Sequence, residues 1–155
     1  MRGLSMVEVL VANVVLAIGL LGLAGLQASG LRVGQSSMHR SQAAQLAHDM
    51  VDRIRVNLGG AAAYSLGLSD PPPACDQAPS NSVEVAQCDL RDWRLRLRAL
   101  PGGTGSVGVA GTTVTIVIQW DDSRGAGVLR QTNDDLAELD RLRGSQFSVA
   151  AQLAN

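Results

Sequence analysis

The chain has 155 residues and a net charge of −1, which suits one globular domain and leaves too little for two comfortable ones. Its basic residues are all arginine, and only Arg94, Arg96 and Arg98 crowd together. Such a short run is expected to be a solvated face and does not make a nucleic-acid groove. Tyr64, Trp93, Trp120 and Phe147 are the only aromatic residues, too few to stack single-stranded bases.

The first element is an apolar run. Val9–Leu26 reads VLVANVVLAIGLLGLAGL, with Asn13 as its one polar side chain. At about 1.5 Å per residue it spans roughly 30 Å, the thickness of a bilayer's hydrocarbon core. Three readings are open. A secretory signal peptide would use Arg2 as its basic region and Leu26-Gln27-Ala28 as its cleavage site, but the run is longer than the usual apolar region of about 7–15 residues. A plain membrane anchor explains the length and leaves Glu8 without a reason, since a carboxylate at the edge of a span costs free energy unless it is partnered. The third reading comes from Gly3-Leu4-Ser5-Met6-Val7-Glu8-Val9-Leu10, which resembles the type IV prepilin motif. The resemblance implies a leader of residues 1–3 cut between Gly3 and Leu4 by the prepilin peptidase on the cytoplasmic side, N-methylation of Leu4, and Glu8 at the fifth position of the mature chain. Leu4 departs from the commoner Phe at that position. A carboxylate there would compensate the α-ammonium of a neighbouring subunit in a low-dielectric filament core, where an unpaired charge is costly.

Gly19, Gly22 and Gly25 recur every three residues within the run. They supply either a close-packing helix face or a stretch that loosens outside the bilayer, since glycine lowers helix propensity by about 1 kcal/mol. Val33–Leu58 keeps helical periodicity, with Ala43, Leu46, Ala47, Met50, Ile54 and Leu58 on one apolar face. Asp49 with Arg53 and Asp52 with Arg55 support an exposed opposite face, and Gly59-Gly60 is expected to end the helix. One continuous helix from about Val7 to Leu58 would be roughly 75–80 Å long. His39 and His48 fall on opposite faces and are expected to be solvated rather than to share a metal.

Arg40 to Asn57 carries the pattern S-Q-A-x-x-L-A-x-D-M-x-D-R-x-R-x-N, which resembles the second half of the long helix in PilV-type minor pilins. The stretch from Asp89 to Gly105 and the segment Val114–Asp121 extend the likeness. The resemblance implies an inner-membrane protein with its domain in the periplasm, which later joins the pilus at its tip or base. Its partners would be other minor pilins and the major pilin, met through the N-terminal helix. In that oxidising compartment Cys75 and Cys88, the only cysteines, are expected to form a disulfide.

Ser69–Ser82, rich in Pro, Asp and Ser, is expected to be an irregular loop. Asp89–Leu100 fits a helix with Leu90, Trp93, Leu97 and Leu100 on one face, and also a strand; the family likeness favours the helix, stopped by Pro101-Gly102-Gly103. Val107, Val109, Gly111 and Thr113–Trp120 suggest a β-hairpin. Val128–Thr132 is expected as a short strand, Asp134–Arg143 as a surface helix stopped by Gly144, and Phe147, Val149, Ala151 and Leu153 as a closing strand. The expected fold is α+β: a long N-terminal helix with a small antiparallel sheet packed on its C-terminal half. Residues 4–30 form the transmembrane or filament-core helix, and residues 31–155 form the periplasmic domain, including the rest of the helix. No H-E-x-x-H, P-loop or G-x-S-x-G pattern occurs, so no enzyme activity, cofactor or metal is expected. The functional expectation is a minor pilin that primes or caps pilus assembly. A minor pseudopilin of type II secretion and an ordinary secreted or anchored binding domain are the alternatives.

Overall fold

Ser5 starts the long helix. Its side chain accepts a hydrogen bond from the Val7 amide at 3.2 Å, and Glu8 lies in the first turn, where a carboxylate favourably meets the helix dipole. Helix α1 then runs unbroken from Met6 to Val56, 51 residues or about 76 Å, straight through Gly19, Gly22 and Gly25. The computed structural model describes residues 5–75, 78–122 and 145–153. The expected cleavage site at Gly3 and Leu4, the strand at Val128–Thr132 and the helix at Asp134–Arg143 with its Gly144 stop lie outside the described residues.

The two halves of α1 differ in surroundings. The apolar half is long and apolar enough to cross a membrane, and none of it is buried against the rest of the chain. The second half buries Ala43, Ala47, Met50, Val51 and Ile54, the face that the apolar spacing marked out. Leu58 departs from that expectation: it begins a 3-10 helix, Leu58–Tyr64, and is 47% exposed. The glycine pair thus ends α1 by a tighter turn rather than by a loop. Gly60 allows that turn to approach the next helix, because a Cβ there would lie 2.3 Å from the Ser82 carbonyl oxygen.

Helix α2 spans Ser82–Leu97, so it begins seven residues before the expected start at Asp89. Asn81 caps it, accepting from the amides of Val83 and Glu84. Glu84 returns the favour by accepting from the Ser80 amide at 2.7 Å and from the Asn81 side chain at 2.8 Å, a variant of the capping box. The Ser80 bonds hold the Glu84 carboxyl below its ordinary range. Leu90, Trp93, Leu97 and Leu100 are all buried, which settles the choice between helix and strand.

Strand β1 (Thr104–Ala110) and strand β2 (Thr113–Trp120) form the expected hairpin, paired antiparallel with Val107 opposite Ile116. Gly111, at φ +59, takes the first position of the two-residue turn, where only glycine is comfortable. Strand β3 (Ser145–Gln152) pairs antiparallel with β2, Phe147 opposite Ile118. The sheet order is β1-β2-β3. Val114, Ile116, Ile118 and Trp120 alternate onto the inner face of β2 and are buried. They meet α1 and α2 in one core, two layers closed around the last third of the long helix.

Candidate functional site

The chain's chemistry lies in how a domain is fastened to a helix that is otherwise unpartnered. Trp93 is fully buried, and its indole N–H donates to the Leu46 carbonyl of α1 at 3.0 Å. Gly105 of β1 lies against the indole edge, since a Cβ there would approach the ring to 2.6 Å. Trp93 therefore joins α1, α2 and the sheet at one point.

Below it, the Arg53 guanidinium of α1 is held by three carboxylates: Asp49 at 3.1 Å, Asp89 at 2.8 Å and Asp92 at 3.2 Å. Arg96 joins Asp92 at 3.0 Å and Asp49 at 3.5 Å. Tyr64 donates to the other oxygen of Asp89 at 2.6 Å, and the Asn57 amide donates to the Ser82 carbonyl at 2.7 Å. Burial works against the Arg53 charge, but the Asp89 hydrogen bond and the Asp49 and Asp89 charges outweigh it, so its pKa is raised. Burial and the Asp89 bond push the Tyr64 hydroxyl up to about 12. A charge network of this kind, half-buried and bonded at every corner, fixes the orientation of the two helices more than it adds net stability. The i,i+4 pair Asp49–Arg53 was legible in the sequence. Its extension across to α2 was not, because sequence spacing says nothing about contacts between elements.

Arg94 corrects the expectation of a solvated arginine run. It is 8% exposed and donates to Thr104 Oγ1 and the Gly105 carbonyl, and to the carbonyls of Gly67 and Asp70, all within 2.6–2.8 Å. Burial lowers its pKa, while these four acceptors satisfy the fork of N–H groups. The loop after Tyr64 is thereby stitched to β1, which it also meets at the Leu66–Val107 bridge.

Cys75 and Cys88 form the expected disulfide, 13 residues apart, and Arg91 donates to the Cys75 carbonyl at 3.2 Å. The proline-rich loop is thus clipped along α2. Replacing both cysteines by serine should lower the unfolding free energy by about 3 kcal/mol, the chain-entropy value for a loop of this length. Guanidinium titrations of the two proteins check this, and equal midpoints would show that the clip is thermodynamically idle.

Glu8 is exposed in the first turn. The neighbouring Leu4 lies outside the described residues, so the two are not seen together. His48 is exposed, with its Nδ1 2.7 Å from the Ala44 carbonyl, whereas His39 is half-buried and its Nδ1 has no hydrogen-bond partner. Among the described residues no group of three or more His, Cys, Asp or Glu is placed to hold a metal.

The model of the family described as "Tt1218-like: Type IV pilin Tt1218" matches residues 25–92. That segment runs from the end of the apolar stretch through the Arg53 network and the disulfide to Asp92, whose carboxylate Arg53 grips. No curated protein and no solved structure matches the chain. Type IV pilins are structural subunits rather than enzymes, and an exposed apolar N-terminal helix is consistent with membrane anchoring and incorporation into a pilus. Over residues 25–92, and in its long helix with an antiparallel sheet packed against it, the chain is similar to the type IV pilin (Tt1218-like) family.

Proposed function

We propose that this chain is a minor pilin of the PilV class, cut between Gly3 and Leu4 by the prepilin peptidase and N-methylated at Leu4. It is held in the inner membrane by residues 4–30, with its domain in the periplasm, and it helps prime or cap the pilus together with other minor pilins. The observation that carries the reading is the Arg53 network. Asp49, Arg53 and Asn57 of the PilV-like pattern are the side chains that grip Asp89, Asp92 and the Ser82 carbonyl of α2, so the pattern has a physical use in this fold. The apolar half of α1, wholly uncovered by its own domain, supports a role in which other helices or lipid cover it.

Intact mass of the mature protein tests the proposal. The expected chain begins at Leu4 and carries one added methyl group. A chain beginning near Ser29 would mean an ordinary signal peptide and would end the pilin-subunit reading. Gly3→Ser should abolish the shift to the shorter form in cells that contain the peptidase, because the bulkier residue keeps the extended backbone out of its site. An unchanged gel mobility shift would place the cut elsewhere. Loss of surface pili in a deletion strain, with type II secretion intact, separates the pilus from the secretion alternative.

A further inference from the structure

Pro71-Pro72-Pro73 is the one run of adjacent prolines in the chain, and covalent geometry nearly fixes its backbone. Each ring holds φ near about −65°, and each proline steers the residue before it away from the helical region. The peptide bonds are all trans among the described residues. Residues 70–75 join neither helix nor strand and so follow a polyproline II path. Both ends of this segment are pinned to α2. Arg94 donates to the Asp70 carbonyl at 2.7 Å, and Arg91, one turn earlier, donates to the Cys75 carbonyl at 3.2 Å. The disulfide to Cys88 adds a covalent hold at the second end. A polyproline II helix repeats every three residues, so about one residue in three can face its support. Pro73 is half-buried, whereas Pro71, Pro72 and Ala74 are exposed. Among the described residues no hydrogen bond reaches the carbonyls of Pro71, Pro72 or Pro73. Two arginines and a disulfide thus hold an apolar ridge with bare carbonyls out in solvent.

We infer that this ridge is a docking surface for another protein, which receives it in a groove lined by Trp or Tyr side chains. The inference goes beyond the proposed function, which leaves this loop without a role. Chemistry selects the occupant. Proline rings present apolar faces that pack on aromatic rings, and the bare carbonyls between them accept from an indole N–H or a phenol O–H. Trp and Tyr supply both. A partner strand does not fit, because prolines lack the N–H groups that extend a sheet. A second copy of the chain does not fit either, because Tyr64, Trp93 and Trp120 are all buried. The ridge is ordered before it binds, so docking forfeits little backbone entropy. The exposed Asp70 carboxylate at its start favours a basic side chain at that end of the groove.

The test uses the full-length protein in its own cells, with the photocrosslinker p-benzoylphenylalanine introduced singly at Ala74 or at Thr115, exposed on the outer face of the sheet. Crosslinked peptides are identified by mass spectrometry. At Ala74 the expected product is a peptide of another protein that contains Trp or Tyr, and it should be absent at Thr115. Replacing Pro71 and Pro72 together by alanine should cut the Ala74 yield by about tenfold. The anchors are the backbone carbonyls of Asp70 and Cys75, so they survive this change, and intact mass should show the disulfide still closed. The captured protein, once purified, should bind the full-length chain, and a decaproline peptide should displace it. The inference is overturned by no capture at Ala74, by capture of a second copy there, or by a product without Trp or Tyr. It is equally overturned by the same product at Thr115, by a yield that the double substitution leaves unchanged, or by a complex that decaproline leaves intact.

Discussion

Trp93→Ala is expected to destabilise the domain by about 3–5 kcal/mol, the range for emptying a fully buried large aromatic position. That is a large part of the ~5–15 kcal/mol by which domains are usually stable. The site cannot collapse easily, because Gly105 presses on one edge of the indole and the ring bridges the two helices. The substitution also leaves the Leu46 carbonyl without the indole donor. Trp93→Phe keeps an aromatic ring in place but loses the hydrogen bond and part of the indole's volume, so its cost should be smaller, about 1–3 kcal/mol. Guanidinium unfolding of the detergent-solubilised protein, followed by far-ultraviolet circular dichroism, separates the two variants. A loss below 1 kcal/mol for the alanine variant would show that α1, α2 and the sheet do not depend on this joint.

Glu8→Ala should leave leader cleavage and membrane insertion intact, since the side chain lies past the cut and its removal makes the span more apolar. What it should damage is incorporation into the filament. A neighbouring subunit's α-ammonium, created at Leu4 by the proposed cleavage, would lose its counter-charge in a dry site, a cost of several kcal/mol. The expected phenotype is fewer surface pili, with normal shafts in those that form. The measurement is sheared-pilus yield and co-purification with other pilins, at expression matched to wild type. Normal yield and normal co-purification would make Glu8 a tolerated carboxylate at the helix end and remove the charge-pairing mechanism.

The parts of this fold that were legible in the sequence are those in which one period governs a whole element. Ala43, Ala47, Met50 and Ile54 repeat at helical spacing, and Val114, Ile116, Ile118 and Trp120 alternate; both sets are buried as expected. The start of α2 was obscured by composition. The Pro- and Ser-rich loop masks Asn81 and Glu84, yet an Asn followed three residues later by Glu is itself a helix-start signal. Arg94 was misread because arginines in a run suggest solvent. Its position was the better guide: it follows Trp93 and stands between Leu90 and Leu97, so it borders the buried face, and the carbonyls of Gly67, Asp70 and Gly105 converge there. That convergence belongs to the tertiary fold and leaves no mark on the sequence.

The uneven burial of α1 also has a mechanical side. A pull on its membrane end travels along a bare rod and, among the described residues, first meets the domain at Ser36, which donates to Asp122, before the core grips it between Ala43 and Ile54. There the load is shared as shear across several turns by buried side chains, the Trp93 hydrogen bond and the Arg53 carboxylates. The Cys75–Cys88 bond joins the proline-rich loop to α2 and bridges nothing to the rod, so it lies off the path of the force. The domain's hold on the shaft is therefore entirely non-covalent, apart from the single chain crossing between Val56 and Leu58.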